Sequence, residues 1–156
     1  MKTVTTLIFL LFTTTPSLAA EAEGVPPPPE AYCKWEMVNY SIPASLCGLK
    51  GEAPRGEKVV ADAARGNCLA CHELPIKGVE AYGTIAPPLS GVANRLSEAQ
   101  LRLRVVDSRH LNPNSIMPGF YRNPSLINRP GKGYEGRTFL AAQDVEDVIA
   151  YLVTLK

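Results

Sequence analysis

Two thiols and an imidazole fall within five consecutive positions of this chain, at Cys68, Cys71 and His72. The C-x-x-C-H spacing suits covalent haem attachment: both thiols can add to the vinyl groups of a porphyrin while the adjacent imidazole reaches the iron from the same side. Three other chemistries use these residue types. A redox dithiol would not need His72 and usually opens a helix after a strand, a pattern missing here. Zinc would want two further ligands at motif spacing, and the second histidine, His110, has no companion. A structural bridge between Cys68 and Cys71 would be strained. One covalently attached haem c is therefore the expected cofactor.

Haem c attachment belongs outside the cytosol, and the start of the chain supplies the export signal. Lys2, the apolar run at 7–12 and the small residues up to Ala20 form its charged, apolar and cleavage regions, with cleavage after Ala19 or Ala20. The apolar run is far shorter than the ~20 residues of a membrane span. No cysteine stands at the cleavage point to take a lipid, and no twin arginine precedes the run. The expectation is a soluble periplasmic protein. Loss of Lys2 turns the formal charge of +1 into zero, which argues against nucleic acid as a partner. The 136 residues after Ala20 suffice for one domain with an ordinary core.

The iron needs a second axial ligand or an open position. Met117, 45 residues after His72, is flanked by Pro118 and Gly119. A thioether is a weak ligand that its loop must hold in place, and the proline stiffens that loop. His110 would give a bis-histidine iron of lower potential but has no comparable turn chemistry. Met37 precedes the haem motif and fits poorly; the alternative role for a methionine is to fill core. With Cys68 and Cys71 bonded to haem, Cys33 and Cys47 remain as a pair. A disulfide between them would close a loop of about 15 residues and contribute ~3 kcal/mol. The alternative is a thiol that bonds a partner or carries sulfur.

These residues need elements to position them. Residues 21–30 read as a proline-rich linker, and 31–53 hold the cysteine pair, Trp35 and several turn residues without a long periodic stretch. The linker and this stretch, 21–53, form an arm ahead of the haem domain at 54–156. A helix is expected over 54–66, with Val59, Val60 and Ala63 on its buried face and Gly66 as its stop. Residues 75–94 read as loop. Ser97 and Gln100 form a capping box ahead of Leu101 and Val105. Residues 112–136, with four prolines and four glycines, are irregular and carry Met117. The last helix is expected from about Ala142 to Leu155, with Val145, Val148, Ile149 and Leu152 on one stripe and Asp144, Glu146 and Asp147 near its positive end. No strand alternation and no internal repeat is evident, so the class is all-α.

This order of haem motif, loop, middle helix, methionine loop and C-terminal amphipathic helix resembles the class I cytochrome c fold over residues 54–156. The run APPLSGV looks like that family's proximal loop, which implies that the Pro87 carbonyl accepts a hydrogen bond from the His72 ring and makes it a better donor to iron. More narrowly, ASLCGLKG, GNCLACHELP, GTIAPPLSGVANRLSEAQLR, VVDSRHLNPNSIMPGFYR and DVEDVIAYLVTLK resemble the SoxX family, the monohaem cytochrome subunits of the SoxAX sulfur-oxidation complex. That resemblance implies SoxA as partner in a heterodimer, His72 and Met117 as axial ligands, and SoxY as carrier substrate. It also implies an L-cysteine S-thiosulfotransferase activity for the complex, coupling thiosulfate to a SoxY cysteine while electrons pass through this chain to a soluble cytochrome. The Cys33–Cys47 pair is not a feature of every member, and Ala141 stands where a threonine often caps the last helix. No serine or cysteine sits in a nucleophile motif, so the chain alone is not expected to be catalytic.

Arg95, Arg102, Arg104 and Arg109 cluster around the middle helix, where they would steer an anion, meet haem propionates, face an acidic partner or form a solvated face. Trp35 and Tyr40 would anchor a partner or cover a local core. A free-standing periplasmic electron shuttle and a haem-based ligand sensor are the alternatives to a SoxAX subunit.

Overall fold

A computed structural model describes residues 30–156. The expected export signal at 1–20 and the proline run that follows it lie outside the described residues. Three α-helices carry the fold, α1 (Ala53–Ala61), α2 (Glu98–Asp107) and α3 (Ala142–Leu152), joined by loops with short 3-10 turns. Among the described residues there is no strand, only an isolated bridge between Val38 and Ser41. None of the described helices is long and apolar enough to cross a membrane.

α1 opens with Pro54, whose fixed φ suits a first helical turn, and buries Gly56, Val59 and Val60. It stops at Ala61, short of Gly66, and Ala63 is exposed, not buried. Asp62 breaks the helix: its carboxylate accepts the Ala64 N–H at 2.9 Å, and its carbonyl accepts the N–H groups of Arg65 and Asn67. Local turn bonding of this kind competes with helix propagation, and the Ala64 bond, helped by Arg65, holds the Asp62 carboxyl below its usual range.

α2 has the expected capping box, with Ser97 Oγ accepting the Gln100 N–H at 3.3 Å and Gln100 Oε1 accepting the Ser97 N–H at 3.0 Å. α3 buries the expected stripe of Val145, Val148, Ile149 and Leu152. It ends at Leu152, three residues early, where the Thr154 hydroxyl donates to the Tyr151 carbonyl. Ala141 provides no side-chain cap, but the carboxylate of Glu30, from the arm, accepts the Ala142 N–H instead.

α1 and α3 cross in backbone contact. A Cβ at Gly56 would lie 1.9 Å from the Asp147 carbonyl oxygen, and one at Gly51 2.0 Å from that of Glu146. Only glycine allows this approach.

Glu146 and Asp147 do not lie on a solvated helix end. They are 3% and 2% exposed, and each is paired with a cation from another segment. Arg102, itself 2% exposed, donates Nε to Glu146 at 2.9 and 3.1 Å and a terminal nitrogen to the same carboxylate at 2.9 Å. Its other bonds run to the Ile42 carbonyl and to Glu98, and Glu146 also accepts the Leu46 N–H at 2.9 Å. Burial alone would raise the Asp147 carboxyl, but two bonds from Arg55, the Glu52 N–H and Gln143 bring it below its usual range.

The same network shows that the arm is not a mere appendage. Ile42 and Leu46 are 1% exposed, inside the core formed by α1, α2 and α3, and the Ile42 N–H donates to the Ala99 carbonyl. Cys33 and Cys47 are joined in a disulfide with their Cα atoms 5.5 Å apart. The Cys33 N–H donates to the hydroxyl of the buried Tyr121, whose ring stacks on Tyr32. Trp35 is half-buried, edge-on to the His110 ring, whereas Tyr40 is exposed.

Candidate haem-binding site

Cys68 begins a 3-10 turn in which its carbonyl accepts the N–H groups of both Cys71 and His72. This tight turn brings two thiols and an imidazole together. The loop that follows lies on the turn: the Gly83 N–H donates to Leu69 at 2.7 Å, that of Ala86 to Cys71 at 3.0 Å and that of Leu89 to Glu73 at 2.9 Å. A Cβ at Gly83 would sit 1.9 Å from the Ala70 carbonyl oxygen, so the contact requires the bare backbone. Registered in this way, the loop sets the Pro87 carbonyl oxygen 2.7 Å from His72 Nδ1. An N–H donated there leaves the other ring nitrogen free for a metal.

Arg95 stiffens that loop. Its guanidinium donates to the Ser90 carbonyl at 3.0 Å and to the Pro88 carbonyl at 3.1 Å. The four arginines grouped by sequence thus divide. Arg102 is buried in an ion pair, Arg109 pairs with Asp107, and Arg95 and Arg104 line the cavity described next.

On the opposite side, the segment after α2 returns along it, with the Phe120 and Tyr121 N–H groups donating to the Val105 and Val106 carbonyls. Met117 precedes this anchor. Asp107, 5% exposed in its side chain, fixes the base of the loop through Arg122 at 3.0 Å and Arg109 at 3.5 Å.

Between the two sides lies a cavity of about 310 Å³, walled mainly by apolar groups, Val60, Leu101, Val105 and Val148 among them. Cys68, His72 and Met117 are all on its wall. A second cavity of about 410 Å³ shares those three residues and adds Cys71. Both volumes fall within the range of cofactor sites. His110 and Met37 line neither: His110 packs on Trp35 with Nδ1 3.8 Å from Asp107, and Met37 is exposed.

The donor set fits a haem. An apolar slot holds two thiols and one imidazole beside it, with a thioether on the same wall. It does not fit the rivals. Burial, with a smaller contribution from Cys71, pushes the Cys68 thiol up to about 11, the opposite of what a thiolate-driven redox pair needs. Among the described residues, no three His, Cys, Asp or Glu side chains converge to hold a bare metal ion.

Sequence reasoning missed Ser108, Ser115, Gly83 and the role of Arg95. Ser115 carried a weak local signal, a hydroxyl two residues before Met117. Ser108 carried none, because its contacts arise only when the loop folds back on α2.

The family model for cytochrome c matches residues 53–156. A cytochrome c-553-like protein of Synechocystis is 30% identical over 112 residues, 72% of this chain and 77% of that protein. Among solved structures, a chain in the crystal structure of SoxXA from P. pantotrophus is 40% identical with a TM-score of 0.70, over 78% of this chain and 94% of that one.

Proposed function

The chain belongs to the cytochrome c family, and from that premise we propose that it is the SoxX-type electron-transfer subunit of a periplasmic SoxAX heterodimer. The similarity to a SoxXA chain over nearly that chain's whole length carries this reading. Its cofactor is one covalently attached haem c, which supplies a one-electron carrier when bound.

In this reading, Cys68 and Cys71 would hold the haem through thioether bonds, and His72 and Met117 would supply its protein ligands to iron. The Pro87 carbonyl keeps the His72 ring oriented and electron-rich. The apolar lining excludes water, and a thioether ligand favours a higher potential than a second histidine would. With His72 and Met117 both committed to holding the group, the site would pass electrons and would not bind substrate. The Cys33–Cys47 disulfide staples the arm.

The chemistry assigned to the complex is that of an L-cysteine S-thiosulfotransferase. Joining thiosulfate to a SoxY thiol forms one sulfur–sulfur bond and releases a proton and two electrons. Those electrons leave in single steps through this chain to a soluble cytochrome. Thiosulfate-dependent haem reduction, measured with the SoxA-reconstituted pair plus SoxY and with this chain alone, tests the assignment. Reduction by the pair only, with co-elution of the two chains, is expected. Reduction of the chain without SoxA would instead favour a free-standing shuttle.

A further inference from the structure

We infer that Ser108 and Ser115 position Met117, their hydroxyls closing a hydrogen-bonded ring through both backbone polar groups of that residue. The Met117 N–H donates to Ser115 Oγ at 3.2 Å. Ser108 Oγ lies 3.3 Å from the Met117 carbonyl oxygen and 2.9 Å from Ser115 Oγ. Each hydroxyl has one proton to give. The ring closes when Ser108 donates to the Met117 carbonyl and Ser115 donates to Ser108, which leaves no donor over.

The two serines come from different places. Ser115 is local to the loop, whereas Ser108 is the buried residue that follows α2. The ring therefore fastens the loop to the helix at the position of the thioether, and it does more than shape a turn. Immediately beside Met117, Ile116 is 79% exposed and Pro118 stiffens the chain but has no N–H to donate, and the next anchor to α2 comes at Phe120. A thioether holds iron weakly, so the loop's own stiffness decides how readily an outside ligand displaces it. Ser108 and Ser115 act through Met117 and touch no substrate.

This inference rests on Met117 being the axial ligand opposite His72. The test uses the haem-loaded chain and the variants Ser108→Ala, Ser115→Ala, Ser108→Thr and Met117→Ala. Two quantities are read on the ferric form: the far-red charge-transfer band of a thioether–iron bond, and the affinity for added cyanide. Each serine-to-alanine change is expected to weaken the band and tighten cyanide binding about tenfold, the scale of one or two lost hydrogen bonds. Ser108→Thr, which keeps the hydroxyl, stays near the parent in both. A role confined to general stability would lower the melting temperature and leave the cyanide affinity unmoved.

Parent-like cyanide affinity in both alanine variants overturns the inference while leaving Met117 as ligand. Ser115 is only half-buried, so Ser115→Ala decides the matter if Ser108→Ala does not yield folded protein. A parent spectrum without the band, unchanged by Met117→Ala, removes Met117 from the iron and overturns the axial assignment together with the ring.

Discussion

Replacing Arg102 with alanine removes five hydrogen bonds, four of them buried. Three go to Glu146, one to the Ile42 carbonyl and one to Glu98. Glu146 is left 3% exposed with the Leu46 N–H as its remaining partner. Breaking a buried ion pair on one side costs ~3–5 kcal/mol, because the orphaned charge stays desolvated. For a chain of this size that corresponds to a fall of roughly 10–15 °C in melting temperature. Thermal and urea unfolding of the haem-loaded variant, followed by far-UV circular dichroism, measures it. The double variant Arg102→Met with Glu146→Leu removes both charges and recovers most of the loss. It does not recover everything, since the Leu46 N–H then lacks an acceptor, at a cost of ~1–3 kcal/mol. A single-variant loss under ~1 kcal/mol would refute the reasoning and return Arg102 to the solvated helix face.

The crossing of α1 and α3 makes Gly56→Ala costly: the added carbon meets a carbonyl oxygen at 1.9 Å, and a loss of ~3 kcal/mol or more is expected in denaturant titration. Replacing Cys33 and Cys47 together by serine removes ~3 kcal/mol, read by the same titration, while the haem spectrum stays as in the parent. Glu30→Ala exposes the uncapped start of α3 and lowers stability by ~1 kcal/mol, and Ala141→Thr in that background restores part of it; melting temperatures of the two distinguish them. Asp147 titrates below the usual carboxylate range in the native state. Its contribution is therefore present above the unfolded value of about 3.9 and is lost as pH falls through the lowered native value. Asp147→Asn flattens the acid-unfolding curve in that window, with little left to lose below it.

The parts of this protein that depend on spacing and periodicity were legible in its sequence: the haem motif, the capping box at Ser97, the apolar stripe of α3 and the irregular stretch around Met117. Helix ends were less so. Asp62 and Thr154 each stop a helix by a hydrogen bond that competes with the helical pattern, and periodicity alone carries no sign of it. Charge was the least legible. Arg102, Glu146 and Asp147 look like solvated residues in a linear reading, and their burial follows only from tertiary packing, of the arm, α2 and α3 around Arg102 and Glu146 and of α1 on α3 at Asp147. The arm's share of the core is illegible for the same reason, since Ile42 and Leu46 lack helical spacing and are core all the same.

The cavity wall draws on both ends of the domain, with Val60 from α1 and Val148 and Leu152 from α3. The slot therefore cannot shut until α3 has docked beside α1. Without that contact, the wall that carries Cys68, His72 and Met117 has no facing cover from α3. Enclosure of the pocket thus rests on a contact between segments far apart in the chain, and it fails if either helix fails to dock.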